Sequence, residues 1–579
     1  MLQFLPVLLC LSPALSALQD PKLPERFSTG PPAGAPTAVT AGPVSGPGSP
    51  AGPGGGDIRA NTDATSAQNE TSFSVNPLDE DNWVGTANDY RFGTVQIGWY
   101  STRDGGATWT TGTFGIDPGY SFSGDPCVAF DPAGVVHVVG MQYFSAGGSA
   151  VTSYRSADGG VTWTGGIQID LNSANDKPQA ASDYSNGAHH GDVTTAWNRF
   201  FGNGADVLVA TTSNGGASWS TAKKINDVST NTISPDVAYA ANSELYVGWA
   251  DRGNFRAYVD RSSDGGVNWG ADVVAASFGQ VPSPIPGSSF RMFDIFALAA
   301  DWTNGPHAGN VYLAQHTWQG GQADIEVATS TDQGATWTVR KVNDDAGSAD
   351  QVMPGAVVDT KGNLNVSFFD RRLDPANYLL WTWVARSSDG GVTFANHPVS
   401  DLGWDHRPTE FGGGFIGDYL DVDTFSGAVH PFWVDGRSGT QDVYTDVVGL
   451  DLVADVEQLS AATGGQVHLT VNVGPNFAGS SYIVVGSRSG TAPGTLTGTG
   501  VVVPLNRDAF TNWTIANANS ARLQNTRGVL DATGSALATI DTLGPLPSGF
   551  IGSTVHFAAV TNPGAPTFAT NPVGIEIVP

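Results

Sequence analysis

Ser101-Thr102-Arg103-Asp104-Gly105-Gly106-Ala107-Thr108-Trp109 is the first and fullest copy of a phrase that returns along the chain. Read as S-x-D-G-G-x-x-W, it recurs from Ser156 to Trp163, Ser213 to Trp219, Ser262 to Trp269, Ser330 to Trp337 and Ser387 to Phe394. Asp104, Asp158, Asn214, Asp264, Asp332 and Asp389 hold the acidic position. A period of about 55 residues marks an array of one supersecondary unit.

Each residue type in the phrase has a local task. Asp and Ser oxygens accept backbone N–H bonds in a tight turn, and Gly takes the positive φ that such turns need. Trp then covers the ends of the flanking strands with a large apolar face. The carboxylates are thereby committed to the turn, which makes the phrase structural rather than catalytic.

These six copies resemble the Asp-box (BNR) repeat of the sialidase superfamily of β-propellers. The resemblance spans about residues 57 to 452. It implies blades of four antiparallel strands with the Asp box between the third and fourth, and an exo-alpha-sialidase-like activity. Asp-box propellers also include other glycosidases, binding proteins and sorting receptors, so activity has to be argued from the site.

Composition agrees with an all-β fold. The 579 residues include 74 Gly, 35 Pro and 16 Trp, and long amphipathic helical patterns are missing. With 26 basic against 54 acidic residues the net charge is −28, which argues against nucleic acid or an anionic membrane as partner. Residues 1–17 form a short apolar run ending in small residues, as a secretory signal does, and are too short to span a membrane. Secretion or display at the cell surface is therefore expected. Of the two cysteines, Cys10 lies in this run, leaving Cys127 alone and no internal disulfide after cleavage.

Residues 18–56, rich in Pro, Gly, Ala and Ser, read as a linker. Seven strand units follow within residues 57–452, starting near Glu70, Asp125, Asp176, Ser234, Asp294, Gln351 and Asp418; the seventh lacks the phrase. Ile58 to Asp63 is similar to Lys224 to Asp227 and Lys341 to Asp344, which follow copies of the phrase and so read as fourth strands. Ile58 to Asp63 has no such copy before it and is predicted to supply the missing fourth strand of the last unit. Seven blades are favoured, with six as the alternative. In residues 453–579 the phrase stops and β-branched runs alternate with Gly/Pro turns, as in a separate β-sandwich-like domain. Attachment or carbohydrate binding are both open to it.

If the phrase occupies one face, the other face collects two loop sets. Loops entering each unit carry Glu70, Asp125, Asp176, Lys177, Arg291, Asp418 and Tyr419. Loops between second and third strands carry Asp89, Arg91, Arg199, Asp251, Arg252, His316, Asp370, Arg371, Arg372, Asp435 and Arg437. This pattern reads either as Asp–Arg pairs tying blades together or as a guanidinium funnel for an anion.

The resemblance adds roles. Tyr419 matches the family's nucleophile, Asp89 its acid/base, and Arg252 with Arg371 or Arg372 its second and third substrate-holding arginines; Arg437 or Arg291 would complete the set. Asp418 beside the tyrosine is placed as an activating carboxylate, and Arg91 and Asp125 as further substrate contacts. The chain departs from the family at Gln68-Asn69-Glu70, where an acid replaces an Arg-Ile-Pro motif, and at Ser234-Pro235-Asp236, where the glutamate partner of the tyrosine is expected. No cofactor is called for. Structural Ca2+ at Asp418, Asp421 and Asp423 or at Asp344 and Asp345 is conceivable, as is a metal at His189-His190, although neither spacing fits a defined metal motif. The two functional expectations are a sialidase-type glycoside hydrolase acting on an anionic glycan, and a non-catalytic carbohydrate- or protein-binding propeller.

Overall fold

The computed structural model describes residues 56–579, apart from 64, 145–146, 173, 203, 228–230, 426, 475–476 and 492. The leader at 1–17 and all but the last residue of the linker lie outside the described residues. Seven antiparallel units make up the propeller, six of four strands and the seventh of five, with Val448–Gly449 as the extra strand. Their inner strands are Gln68–Val75, Tyr120–Phe130, Asn175–Ser182, Thr232–Tyr239, Ala297–Ala300, Gln351–Val358 and Asp421–Phe425. Each inner strand packs beside the next, and the last returns to the first, which closes a ring. The architecture is a seven-bladed β-propeller. Because every blade is covered on both faces by neighbours, strands such as Trp83–Asp89 and Leu364–Asp370 are buried at every residue and do not alternate.

The ring closes through the N-terminal strand. Ile58–Arg59 pairs antiparallel with Asp442–Thr445 and becomes the fourth strand of the seventh blade. Asn61 locks it: its Nδ2 donates to Asp442 Oδ1 at 2.8 Å, and its Oδ1 accepts the Val443 N–H at 3.0 Å. The phrase at Ser101–Trp109 and its repeats sit between third and fourth strands. In the second copy Ser156 Oγ donates to Asp158 Oδ1 at 2.6 Å, and Asp158 Oδ1 accepts the Thr162 N–H at 2.9 Å. Those bonds pull the carboxyl down to about 2. In the first and third copies the hydroxyl comes from Thr102 and Thr212, bonded to Asp104 and Asn214, rather than from Ser101 and Ser213. Ser101 instead donates to Gly159 O of the next turn at 2.8 Å, so successive turns grip one another. A Cβ on Gly160, at φ +88°, would stand 2.9 Å from Ser101 and Val84.

Neighbouring inner strands share no backbone ladder, so side chains meet their exposed N–H groups. Asp421 accepts from Phe73 N at 2.9 Å and from Ser72 Oγ at 2.8 Å, and Ser72 Oγ accepts from Val128 N at 3.1 Å. Two residues on, Asp423, Ser74 and Phe130 repeat the relay. The Cys127 sulfur takes the Ala180 N–H, and Asp236 accepts from Leu298 N at 2.7 Å. Burial raises all three carboxyls, Asp423 to about 6 and Asp236 to about 7.

Beyond Asp451 two sheets face each other as a β-sandwich. One holds Gln466–Asn472 and Ser535–Asp541, the other Ser481–Ser487, Thr554–Thr561 and Val573–Val578, around a core that includes Leu469, Val471, Val484, Phe557 and Ile575. A buried knot joins it to the propeller: Asp451 meets Lys361 at 2.5 Å and Arg386 at 3.3 Å, and Lys361 lies 4.0 Å from the centre of the Phe568 ring. No helix among the described residues is long and apolar enough to cross a membrane.

Asn61→Ala removes both closure bonds and leaves the Val443 N–H and Asp442 without this partner. A loss of about 1–3 kcal/mol is expected, read as a lowered Tm. A second expectation concerns pH. Between about 4 and 7 folded Asp236 binds a proton that the unfolded chain has released, so its contribution is fully present below the unfolded value and is lost as pH rises through about 7. Whatever the offset at pH 5, the Tm of Asp236→Asn relative to the native chain should rise by about 1–2 °C on going to pH 8.

Candidate functional site

The bulges at the starts of the inner strands build the site. Glu70, Asp125 and Lys177 occupy equivalent places in the first three blades with φ of 59°, 51° and 50°, and each lies at a break in the register with the second strand. Non-glycine residues rarely adopt this conformation. The local kink turns these side chains out of the strand alternation toward the ring axis, where residues entering the seventh blade, Asp418 and Tyr419, join them.

At the centre stands a buried charge cluster. Lys177 Nζ lies 2.8 Å from Asp418 Oδ2 and 3.9 Å from Glu70 Oε1. Arg291 holds the same Asp418 through Nε at 2.8 Å and Nη2 at 2.5 Å, and lies 3.9 Å from Glu70. Its guanidinium is sandwiched between the Phe293 and Phe415 rings, 4.7 and 4.6 Å from their centres. Asn88 links two carboxylate segments, donating to Glu70 Oε2 and accepting the Asp125 N–H at 2.8 Å. Tyr143 donates its hydroxyl to Asp125 at 3.1 Å. Tyr419 is 6% exposed, and burial, then Glu70 and Asp125, push its phenol well above the usual range. The resting phenol is protonated, so an attack by its oxygen requires a carboxylate to take the proton as the bond forms.

Two long connections cover the cluster, residues 278–296 between the fourth and fifth blades and 399–420 between the sixth and seventh. They are knitted by Arg291 N to Gly414 O at 3.1 Å, Ser289 Oγ to Gly413 O at 2.9 Å, and His406 between Ser288 and Ser289. Glu70, Asp125, Lys177 and Asp418 are all buried beneath this cover.

Among the residues expected from sequence, Asp125, Arg291, Asp418 and Tyr419 are brought together, with Glu70 and Lys177 from the same loop set. In the second set Arg91, Arg252, Arg371, Arg372 and Arg437 each meet a carboxylate, and Arg252 also reaches the cluster's edge, 5.5 Å from the centre of the Phe293 ring that carries Arg291. Arg91 Nε binds Asp89 at 2.7 Å. Arg437 Nη2 is 2.6 Å from Asp435, and its Nη1 2.5 Å from Asp57. Arg252 Nε binds Asp294 at 2.9 Å, in the approach to the next blade. Arg371 is sealed beneath the cover, 3.5 Å from Asp350, and burial lowers it to about 10. Arg252, Arg371 and Arg437 are thus held by three different carboxylates, Asp294, Asp350 and Asp435, and Asp89 is held by Arg91. At Arg91, Arg372 and Arg437 the reason is the D-x-R spacing: an aspartate ending the second strand accepts the N–H two residues on and the side chain of that same arginine. Asn88, Tyr143, Phe293 and Phe415 escape a reading based on charge; only their nearness to Asp89, Arg291 and Tyr419 in sequence marks them.

Asp421 and Asp423 serve inner-strand N–H groups, and Asp418 serves two cations. His189 faces Asp192 at 3.2 Å, and His190 bonds the Ser185 carbonyl at 2.7 Å. Among the described residues no three His, Cys, Asp or Glu converge in a way that holds a metal ion.

No protein-family model and no curated protein matches the chain. Among solved structures it is similar to the Hadza microbial sialidase Hz136 (TM-score 0.39, 16% identity, 60% of this chain and 68% of that one). It is also similar to the GH93 alpha-L-arabinofuranosidase of Fusarium graminearum bound to arabinobiose (TM-score 0.40, 14% identity, 69% and 98%). A third is a PL25 ulvan lyase (TM-score 0.42, 11% identity, 68% and 95%).

Removing one partner from a buried ion cluster leaves an uncompensated charge. Lys177→Met keeps the length of the side chain but strips Asp418 and Glu70 of a cation. A loss of about 3–5 kcal/mol is expected, detected as a drop in Tm of several degrees, whereas Lys224→Met at an exposed pair should leave Tm nearly unchanged.

Proposed function

We propose that the protein is an exported, glycan-directed glycoside hydrolase of the sialidase-like class, acting where the inner strands begin. The observation that supports this reading is the grouping of one phenol with several carboxylates of unlike surroundings: Tyr419 beside Glu70, Asp125 and Asp418. Asp418 is neutralised by Lys177 and Arg291, and its part is to position them. Glu70 is the group to take the Tyr419 proton. Asp125, bonded to a neutral tyrosine hydroxyl, is the group to protonate the leaving oxygen.

Charge bears on the substrate. Three carboxylates face two cations, an excess of negative charge that suits an oxocarbenium-like transition state and repels an anionic sugar. With the expected arginines each held by an aspartate, a neutral glycan fits better than a sialoside. The cover over the cluster must part for a sugar to enter. That burial favours the second reading, a propeller that binds a glycan or protein without cleaving it.

A panel of fluorogenic glycosides, neutral sugars beside a sialoside, separates these readings. The expected result is turnover of a neutral glycoside, reduced at least about 100-fold in both Tyr419→Phe and Glu70→Gln when assayed below the Tm of each folded variant. Glycan-array binding without any product would establish the second reading.

A further inference from the structure

The other end of the ring axis holds a separate cavity. All seven inner strands wall a central channel of about 480 Å³. Toward the cluster its lining ends at Tyr419. At the far end it is bordered by Pro77, Tyr184, Trp302 and Thr360, which follow first strands, and so it opens on the face carrying the Asp turns.

Its chemistry is one-sided. Asp236, Asp421 and Asp423 stand along the wall, and no Lys, Arg or His lines it among the described residues. Each carboxylate accepts N–H bonds from the strands, and each of its oxygens has capacity for a further bond. Two further lining groups, the Tyr419 hydroxyl and the Ser182 Oγ at 7% exposure, have no hydrogen-bond partner in the protein. Buried polar groups of this kind cost free energy unless a ligand or water meets them. At the mouth the Tyr184 and Trp302 rings lie 5.7 Å apart, tilted by 40°, and present apolar faces.

These features select a ligand class. The carboxylates are strung along the channel and do not converge on a point, and the volume far exceeds that of a bare ion, so a chelated metal is a poor match. A cation would restore the charged form that burial disfavours in these carboxyls, the hydroxyls ask for further hydroxyls, and the aromatic mouth suits a sugar face or an ammonium group. We infer that the channel is a binding site for a small hydroxylated ammonium compound, of which a protonated amino sugar is the simplest case, entering from the Asp-turn face. The two sites meet only at Tyr419, which closes the inner end of the channel, and binding at the mouth does not depend on the chemistry proposed beyond it.

The test is calorimetric or ligand-observed NMR titration of the full chain with glucosamine and, separately, neutral N-acetylglucosamine. Saturable binding of glucosamine with a Kd on the order of 1 mM is expected, with the acetylated sugar at least about tenfold weaker. Asp236→Asn and Trp302→Leu should each weaken glucosamine at least about fivefold. If Asp236→Asn does not fold, Trp302→Leu at the mouth carries the comparison. Equal affinity for the two sugars, no saturation by about 50 mM, or binding untouched in a folded variant would overturn the assignment, as would displacement of glucosamine by equimolar calcium chloride.

Discussion

The whole ring rests on how strands that do not belong to one sheet are held side by side. Seven inner strands crowd the axis, and backbone N–H groups that face a neighbouring blade cannot be left without acceptors. Asp421, Asp423, Ser72, Ser74, Cys127 and Asp236 supply those acceptors one after another, so that a short polar side chain does across blades what a carbonyl does within them. This explains why carboxylates line an otherwise compact core, and why they remain at the axis although burial disfavours their charged form. The polar channel that results follows from the closure geometry.

The same economy governs the arginines. In a chain with few cations, Arg91, Arg372 and Arg437 each stand where an aspartate already waits two residues earlier, which fastens those second-to-third strand loops and occupies these guanidinium groups. What remains for chemistry is the group carried in by the bulges. Arg291, stacked between Phe293 and Phe415 and bidentate to Asp418, is rigid to a degree that an exposed arginine is not. Lys177 shares its carboxylates, lying near both Asp418 and Glu70, and the bond from Asn88 fixes where Glu70 points.

Much of the architecture was legible in the sequence because it depends on local chemistry. The Asp-Gly-Gly turns announce third and fourth strands, and the likeness of Ile58–Asp63 to two fourth strands announces how the ring shuts. Seven units and a terminal β-sandwich follow from the same marks. The hydroxyl of the first and third turns was misassigned by one residue, since Thr102 and Ser101 are chemically interchangeable on paper and only the register separates them. The site was legible in part. Loops entering the blades delivered Asp125, Arg291, Asp418 and Tyr419 to one place, but that Glu70 and Lys177 adopt positive φ and turn inward is a property of bulged backbone that side-chain identity does not reveal. The cover over the site depends on two connections meeting from different blades, a long-range contact without any local signal.

The closing strand also has a consequence in time. Arg59 finds Tyr444 only when nearly the entire propeller has been made, a separation that places the last step of assembly among the slowest kinds of contact to form. Until then the seventh blade presents a raw edge at Asp442–Thr445. A chain emerging from its N-terminal end, by synthesis or by transport, carries Ile58 out first and holds it unpaired for the longest time of any strand, so the period before closure is when this protein is most exposed to pairing with the wrong partner.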